Sequence, residues 1–408
     1  MLSVRDRRLT MLIRLWIYLG LLLASLSSLA ETVVITSFPE RFYFQVSQQF
    51  KREYPSSDVR FINKKTPALI AHLMQKRQPE PDLVWVSSSD AMALMQQAGY
   101  IQAPVTFAWS EFGFFWHQEA LASNNLPQPD SWETLLSPQF EGKVALSAPS
   151  RSGTNHIVIE LILQQYGWQE GWALIAQLSG NLATITARSF GVRQGIIKQR
   201  FAVAPVVDFF YKNAKDEGEN VGYAALPNTP LVPAQIALSA NTQQTAAAQQ
   251  FIDFLLGDSG QRLLSSPSLS RLSLKQAASQ NEHSVNRFDQ QLSAERYHLV
   301  NRLFDAFVTE RLTSLQTFWH AWHEIDRREL NLEQRAELQQ IFRQVTQIPI
   351  DESVARDPKL NQELSPNNRY SNFYQRLTTQ WQEELTQSLN DAIERVERLS
   401  LDVNKDGQ

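Results

Sequence analysis

The feature that most constrains this chain is an alternation of two periodicities between Glu31 and about Lys275. Short apolar or β-branched runs recur at Thr32–Thr36, Val59–Ile62, Asp82–Val86, Phe112–Trp116, Lys143–Ser147, Ala202–Val207 and Gln235–Ser239. Between them lie stretches with apolar residues at helical spacing: Phe42–Tyr54, Pro67–Arg77, Asp90–Gly99, Thr154–Tyr166, Trp168–Leu178, Phe190–Lys198 and Ala246–Leu256. Strands that alternate with helices predict an α/β fold. Ser131 is placed to cap a short helix, and Gly99 to end one.

The pattern changes at about Gln276. Beyond it the sole glycine is Gly407, and Glu, Gln, Arg and Leu dominate. The spacing predicts helices over Ser293–Arg328, Leu332–Gln347 and Tyr370–Leu399, joined after the second by a polar connection, Pro349–Asn368. Leu315, Phe318, Trp319 and Trp322 form one apolar face, and Tyr374, Leu377, Trp381 and Leu385 another. An all-helical appendage of this kind is expected to serve a partner or the stability of the rest, not a pocket. His320, His323 and Glu324 sit one turn apart, but beside Trp319 and Trp322 they read as a packing face, not a zinc site. Asp402–Gly407 copies the first half of an EF-hand loop, without the glutamate such a loop needs at its twelfth position. No metal or cofactor site is expected.

The first residues read as an export signal. Arg5, Arg7, Arg8 and Arg14 precede an apolar run from Leu15 to about Leu26, and Ser28 and Ala30 supply the small residues of a cleavage site after Ala30. The run is short for a membrane span. The chain has no cysteine, hence no disulfide and no lipid-anchoring cysteine. A freely diffusing exported protein of this kind implies a Gram-negative periplasm. The whole chain has 38 basic and 42 acidic residues; without Arg5, Asp6, Arg7, Arg8 and Arg14 it has 34 and 41, a net charge near −7. Nothing in that balance attracts nucleic acid or anionic lipid.

The candidate chemistry lies where strands run into helices. Ser150-Arg151-Ser152-Gly153-Thr154-Asn155 opens a strong helix. Helix N-termini present free N–H groups and partial positive charge. Gly153 allows close approach to the backbone, Ser152 and Thr154 add hydroxyls, and Arg151 adds a charged fork. That makes a phosphate cradle, or an ordinary helix cap. Arg188-Ser189-Phe190-Gly191 repeats the device. Thr36-Ser37 and Ser87-Ser88-Ser89 end two further strands, and ligands of open α/β sheets bind beyond strand carboxyl ends. Asp208 follows a buried strand, placed to accept from ligand hydroxyls or to serve as a structural carboxylate. The candidate ligand-binding residues are therefore Ser37, Ser88, Arg151, Ser152, Gly153, Thr154, Arg188, Ser189 and Asp208. No catalytic arrangement is recognisable.

Several segments, in order, carry a family resemblance: Pro81-Asp82-Leu83-Val84-Trp85, Ser131-Trp132-Glu133-Thr134-Leu135, Ser150–Thr154, Gly167–Trp172, Ala187-Arg188-Ser189-Phe190-Gly191-Val192, Asp208-Phe209-Phe210 and Phe251–Leu256. Over about residues 31–275 the chain resembles the bacterial ABC-type periplasmic binding proteins of the ferric-iron and sugar-phosphate class. The resemblance implies a two-lobe periplasmic-binding-protein type II fold, here with a C-terminal all-helical extension. It implies divisions at 1–30 (signal peptide), 31–107 with 226–275 (lobe one), 108–225 (lobe two) and 276–408 (extension). The crossings between lobes fall near Pro104–Ser110 and Gly222–Pro230. Ferric members of the class hold iron with adjacent tyrosines. Asp208-Phe209-Phe210-Tyr211 stands at that place and offers hard Fe(III) no closed oxygen shell. The implied ligand is a small phosphorylated metabolite, a sugar phosphate or phosphoglycerate. The implied partner is an inner-membrane ABC permease or, alternatively, a membrane sensor kinase. A periplasmic hydrolase is the reading the absent catalytic groups disfavour.

Overall fold

The computed structural model describes residues 31–226, 229–281, 288–325, 327–328 and 330–406. The expected leader, residues 1–30, lies outside them. The strands are β1 (Thr32–Thr36), β2 (Val59–Asn63), β3 (Leu83–Val86), β4 (Val105–Ser110), β5 (Phe112–His117), β6 (Val144–Ser147), β7 (Leu182–Thr186), β8 (Val203–Val207), β9 (Val221–Ala225) and β10 (Val232–Leu238). They form two five-stranded sheets, ordered β2-β1-β3-β10-β4 and β7-β6-β8-β5-β9. In the first, β1 pairs with β2 and β3 in parallel while β10 runs antiparallel. In the second, β6 is parallel to β7 and β8, and β5 is antiparallel to β8 and β9. Central β3 and β8 are buried along their whole length, as strands covered on both faces are. The chain crosses between the sheets twice, at Glu111 and between β9 and β10. The boundary expected after residue 107 falls inside β4, which pairs with β10 as far as Ser110.

The main helices of the lobes are α1 (Glu40–Glu53), α2 (Thr66–Met74), α3 (Ser89–Gln97), α4 (Gly153–Tyr166), α5 (Trp168–Gly180), α6 (Ser189–Ile197), α7 (Phe209–Asp216) and α8 (Thr245–Leu256). Ser131 caps a short helix by accepting from the Thr134 amide. Gly99 ends the turn after α3 with φ +73°, a conformation that favours glycine.

The extension contains α9 (Gln290–Glu295), α10 (Tyr297–Phe307), α11 (Leu312–Glu324), α12 (Leu332–Thr346) and α13 (Asn372–Asp406). The single helix expected over Ser293–Arg328 is thus three, α9 to α11. Arg296 leaves the helical line (φ −116°, ψ 16°), and its guanidinium lies between Glu160 at 2.9 Å and Glu352 at 2.7 Å. At the second break Arg311 folds back. It donates to the Phe307 carbonyl at 2.7 Å, closing α10, and to the Leu385 carbonyl at 2.5 Å, tying α10 to α13. No glycine or proline marks either break, so the apolar spacing runs through them unbroken. Asp402–Asp406, the segment that copies a calcium loop, is helical. Exposed His320 faces Glu141 of the second lobe at 3.1 Å. No described helix is long and apolar enough to cross a membrane.

Candidate functional site

The two sheets face each other across a cleft into which five helices begin. Pro39 precedes α1, and Thr66, Gly153, Ser189 and Phe209 open α2, α4, α6 and α7; all five residues line the cleft. The first amides of a helix have no intrahelical acceptor, so the cleft floor is rich in free donors and partial positive charge. On that floor stand Lys64 and Lys65 from lobe one and Arg151 and Arg188 from lobe two, with no carboxylate among the lining residues. Among the described residues none of these four cations pairs with a carboxylate. Burial, together with the positive fields of Arg188 and Arg151, pushes the Lys65 ammonium below its usual range.

Of the residues singled out from sequence, Ser37, Arg151, Ser152, Gly153, Thr154, Arg188 and Ser189 line this cleft. Ser152 also caps α4, its Oγ accepting from the Asn155 amide at 3.3 Å. At Gly153 the backbone of lobe two lies close against lobe one. A Cβ there would lie 2.7 Å from Thr66 Oγ1 and 2.9 Å from Ser88 Oγ, both in lobe one.

Ser88 and Asp208 do not line the cleft. Ser88 is fully buried and donates to Asp90 Oδ1 at 2.5 Å, while its neighbour Ser87 faces the cleft instead. Asp208 lies behind the wall. The chain turns into α7 there, sending Phe209 and Phe210 to the cleft and the carboxylate inward, where Lys212 Nζ sits 2.5 Å away. Burial pushes the Asp208 carboxyl up, against the pull of Lys212 and Arg271. Arg271, fully enclosed and lowered to about 10 by burial, stacks on Phe209 at 3.7 Å and donates to Ser110 at 3.2 Å beside the first crossing. Tyr211 is likewise not part of the lining and stacks on Tyr223.

Lys64, Lys65, Asn63 and Thr66 were missed. Their signal was available: Asn63-Lys64-Lys65-Thr66-Pro67 is a polar junction between a strand and a proline-started helix, like those that were chosen.

The extension stands directly behind this site. Ser293 donates to Asp90 of lobe one at 3.0 Å and lies 3.3 Å from His156 of lobe two; His156 and Asp90 are 3.4 Å apart, both fully buried. Asn301 Oδ1 holds the other His156 nitrogen at 2.9 Å. α10 also packs against the turn Pro149–Arg151 that carries Arg151. The expectation that the extension stays clear of the pocket therefore needs correction: it supplies no lining residue, but it braces the loop and helices that do.

Two mixed sheets joined by two crossings, with a donor-lined cleft between them, define a solute-binding protein. Residues 32–266 match the family model of bacterial extracellular solute-binding proteins, and the chain belongs to that family. It is 28% identical over 354 residues to the phosphoglycerate transport regulatory protein PgtC of Salmonella typhimurium, an alignment spanning 80% of this chain and 88% of the relative. Among solved structures it is similar to the periplasmic binding protein AfuA from Actinobacillus pleuropneumoniae (TM-score 0.62, 16% identity, 68% of this chain and 98% of that one). It is also similar to the apo ferric ion-binding protein A of Pasteurella haemolytica (TM-score 0.56, 14% identity, 67% and 96%). At these identities the structures establish the type II binding-protein fold. In both cases this chain exceeds the neighbour by much of its own length.

Proposed function

We propose that the cleft captures a small phosphorylated metabolite in the periplasm of a Gram-negative bacterium and hands it to an inner-membrane ABC permease. The observation that carries this is the set of four cations, Lys64, Lys65, Arg151 and Arg188, converging without a carboxylate on the starts of five helices. Such a floor favours a multiply charged anion through charge-assisted hydrogen bonds and repels Fe(III). The lining also holds no histidine, aspartate or glutamate to act as a general base, which favours binding over hydrolysis. The enclosed space is about 50 Å³. A buried water takes at least ~10–15 Å³ of such space, so this volume suits a phosphate head, with the rest of the metabolite towards the open side. Two relatives point the same way: one is named for phosphoglycerate transport, and the AfuA structure holds fructose-6-phosphate.

A second reading is a ligand sensor whose bound form engages a membrane kinase. It is favoured by the contacts of Ser293 and Asn301 with the residues behind the cleft and by the regulatory name of the Salmonella relative. Calorimetry with phosphoglycerate, fructose-6-phosphate, inorganic phosphate and Fe(III) tests the shared part. A phosphorylated metabolite is expected to bind more tightly than inorganic phosphate, with affinity falling as salt rises. Binding of Fe(III), or of no phosphorylated compound at millimolar concentration, would overturn the proposal.

A further inference from the structure

Helices α2 and α3 start near the anion cleft and end at a second cavity. There Ile70, Met74, Leu94 and Met95 of lobe one face Ala294 and Pro358 of the extension across about 460 Å³. That volume falls within the roughly 300–1,000 Å³ of small-molecule sites. The wall also holds polar groups, and their partners distinguish them. Asn361 is fully engaged: Oδ1 accepts from the Leu299 amide, and Nδ2 donates to the carbonyls of Ala355 and Asp357. Glu295 is held by Arg356 at 2.8 Å. Ser365 Oγ is buried with no hydrogen-bond partner. The nearly buried His298 ring lies edge-on to Tyr297 and makes no hydrogen bond among the described residues; burial and the neighbouring His156 push it down to about 4, so it is neutral. A buried hydroxyl without a partner is costly and rare. Ser365 Oγ is closed off behind the wall, whereas His298 stands in it without a hydrogen bond, with Tyr100, Gln97 and Gln362 around the same cavity.

The charges of the wall limit the occupant. It contains no lysine or arginine, and its single carboxylate already has a partner. An anion would meet no counter-charge, and a cation only Glu295, already tied to Arg356. We propose that this cavity is a second ligand site, distinct from the anion cleft, for an uncharged and mostly apolar molecule whose one hydrogen-bonding group reaches His298. The site belongs to the extension and lobe one together.

N-phenyl-1-naphthylamine, a neutral dye with one N–H that fluoresces in apolar surroundings, tests this on the mature chain. The expected result is saturable binding of one dye per chain, at least tenfold tighter than that of the anionic 1-anilinonaphthalene-8-sulfonate. Leu94→Trp, which fills the cavity from a half-buried position, is expected to weaken neutral-dye binding more than tenfold. Ala98→Trp at the exposed rim repeats the test if the first variant fails to fold, as judged by circular dichroism. His298→Phe, which keeps the apolar body and removes the hydrogen-bonding nitrogens, should weaken it about three- to tenfold. No saturable binding by the wild-type chain, binding that survives both tryptophan variants in the folded state, or equal affinity for the anionic dye would each overturn the proposal. The neutral-dye readouts do not depend on what the anion cleft binds, and the anionic dye is scored only for the binding that Leu94→Trp removes.

Discussion

The two lobes have the same sheet architecture but different cores. In lobe one, two separate clusters flank the sheet, one around Phe38, Trp85, Phe107 and Phe251, the other around Ile35, Val84 and Met92. Lobe two has one cluster that does not end at the lobe. It continues from Phe114 and Trp132 through Trp172 to Phe307, Trp319, Trp381 and Leu389 of the extension. The fit is close: a Cβ on Gly180 of α5 would lie 2.5 Å from the Cβ of Trp319. Lobe one joins this body by two chain crossings, by Tyr297, by the polar seam of Asp90, His156 and Ser293, and by smaller contacts that include Arg41 with Glu217 and Arg271 on Phe209. The difference teaches that lobe two and the extension share one core, whereas lobe one keeps its own and meets them mainly through polar contacts, and it predicts that lobe two and the extension lose structure together.

The largest test of that comparison is Arg296→Ala. It strands Glu160, a fully buried carboxylate of lobe two, and breaking such a pair costs about 3–5 kcal/mol. Hydrogen exchange should show lobe two and the extension losing protection together while lobe one keeps its own. Loss confined to the extension, or shared equally by lobe one, would break the comparison. Next in size is a pH effect at the seam. His298 titrates near 4 in the folded chain, against about 6.5 for an exposed histidine. Between those values the unfolded chain binds a proton that the folded chain does not. Stability from this site is therefore complete above about pH 6.5 and drains away as pH falls towards 4, on the order of 3 kcal/mol in all. His298→Phe should flatten that part of the stability curve, and an unchanged curve would place the titration elsewhere.

Two smaller effects concern the cleft. Arg151→Ala removes a charged donor at an exposed position, so the fold should be untouched while affinity for a phosphorylated ligand drops by about 1.5–3 kcal/mol. Calorimetry beside a thermal melt separates the two, and unchanged affinity would reduce Arg151 to a surface charge. Gly153→Ala sets a methyl against Thr66 and Ser88 of lobe one. Overpacking of this kind costs about 1–3 kcal/mol, and here it should fall on the closed arrangement alone. The expected outcome is weaker binding and a larger radius in small-angle scattering with ligand present, at unchanged melting of lobe two. A variant that closes normally would mean the lobes do not meet at this glycine.

Much was legible from sequence because it is local. Strand-length apolar runs and helical spacing recovered seven of the ten strands and all the main lobe helices but α7, while β4, β7 and β9 went unread, two of them taken for crossings; Ser131 and Gly99 behave as the cap and stop they resemble. The junction at Ser150–Thr154 could be recognised because a helix start needs no partner to expose its amides. Other features have no local signature. Lys64 and Lys65 are unremarkable in the chain and acquire meaning when strand order brings the end of β2 opposite α4. Whether Ser87 or Ser88 faces the cleft depends on which hydroxyl Asp90 captures, and Asp208 is hidden by the turn into α7. The breaks at Arg296 and near Arg311 are imposed by Glu160, Glu352 and Leu385, residues far away in sequence. The sequence by itself determined most of the strands and helices of the lobes and where an anion could meet a helix end, since those follow from backbone sterics and one-sided burial. Tertiary structure alone decided which cations converge, which carboxylates are buried, and that the extension is fused to one lobe and only latched to the other, since each depends on contacts between segments that no local periodicity encodes.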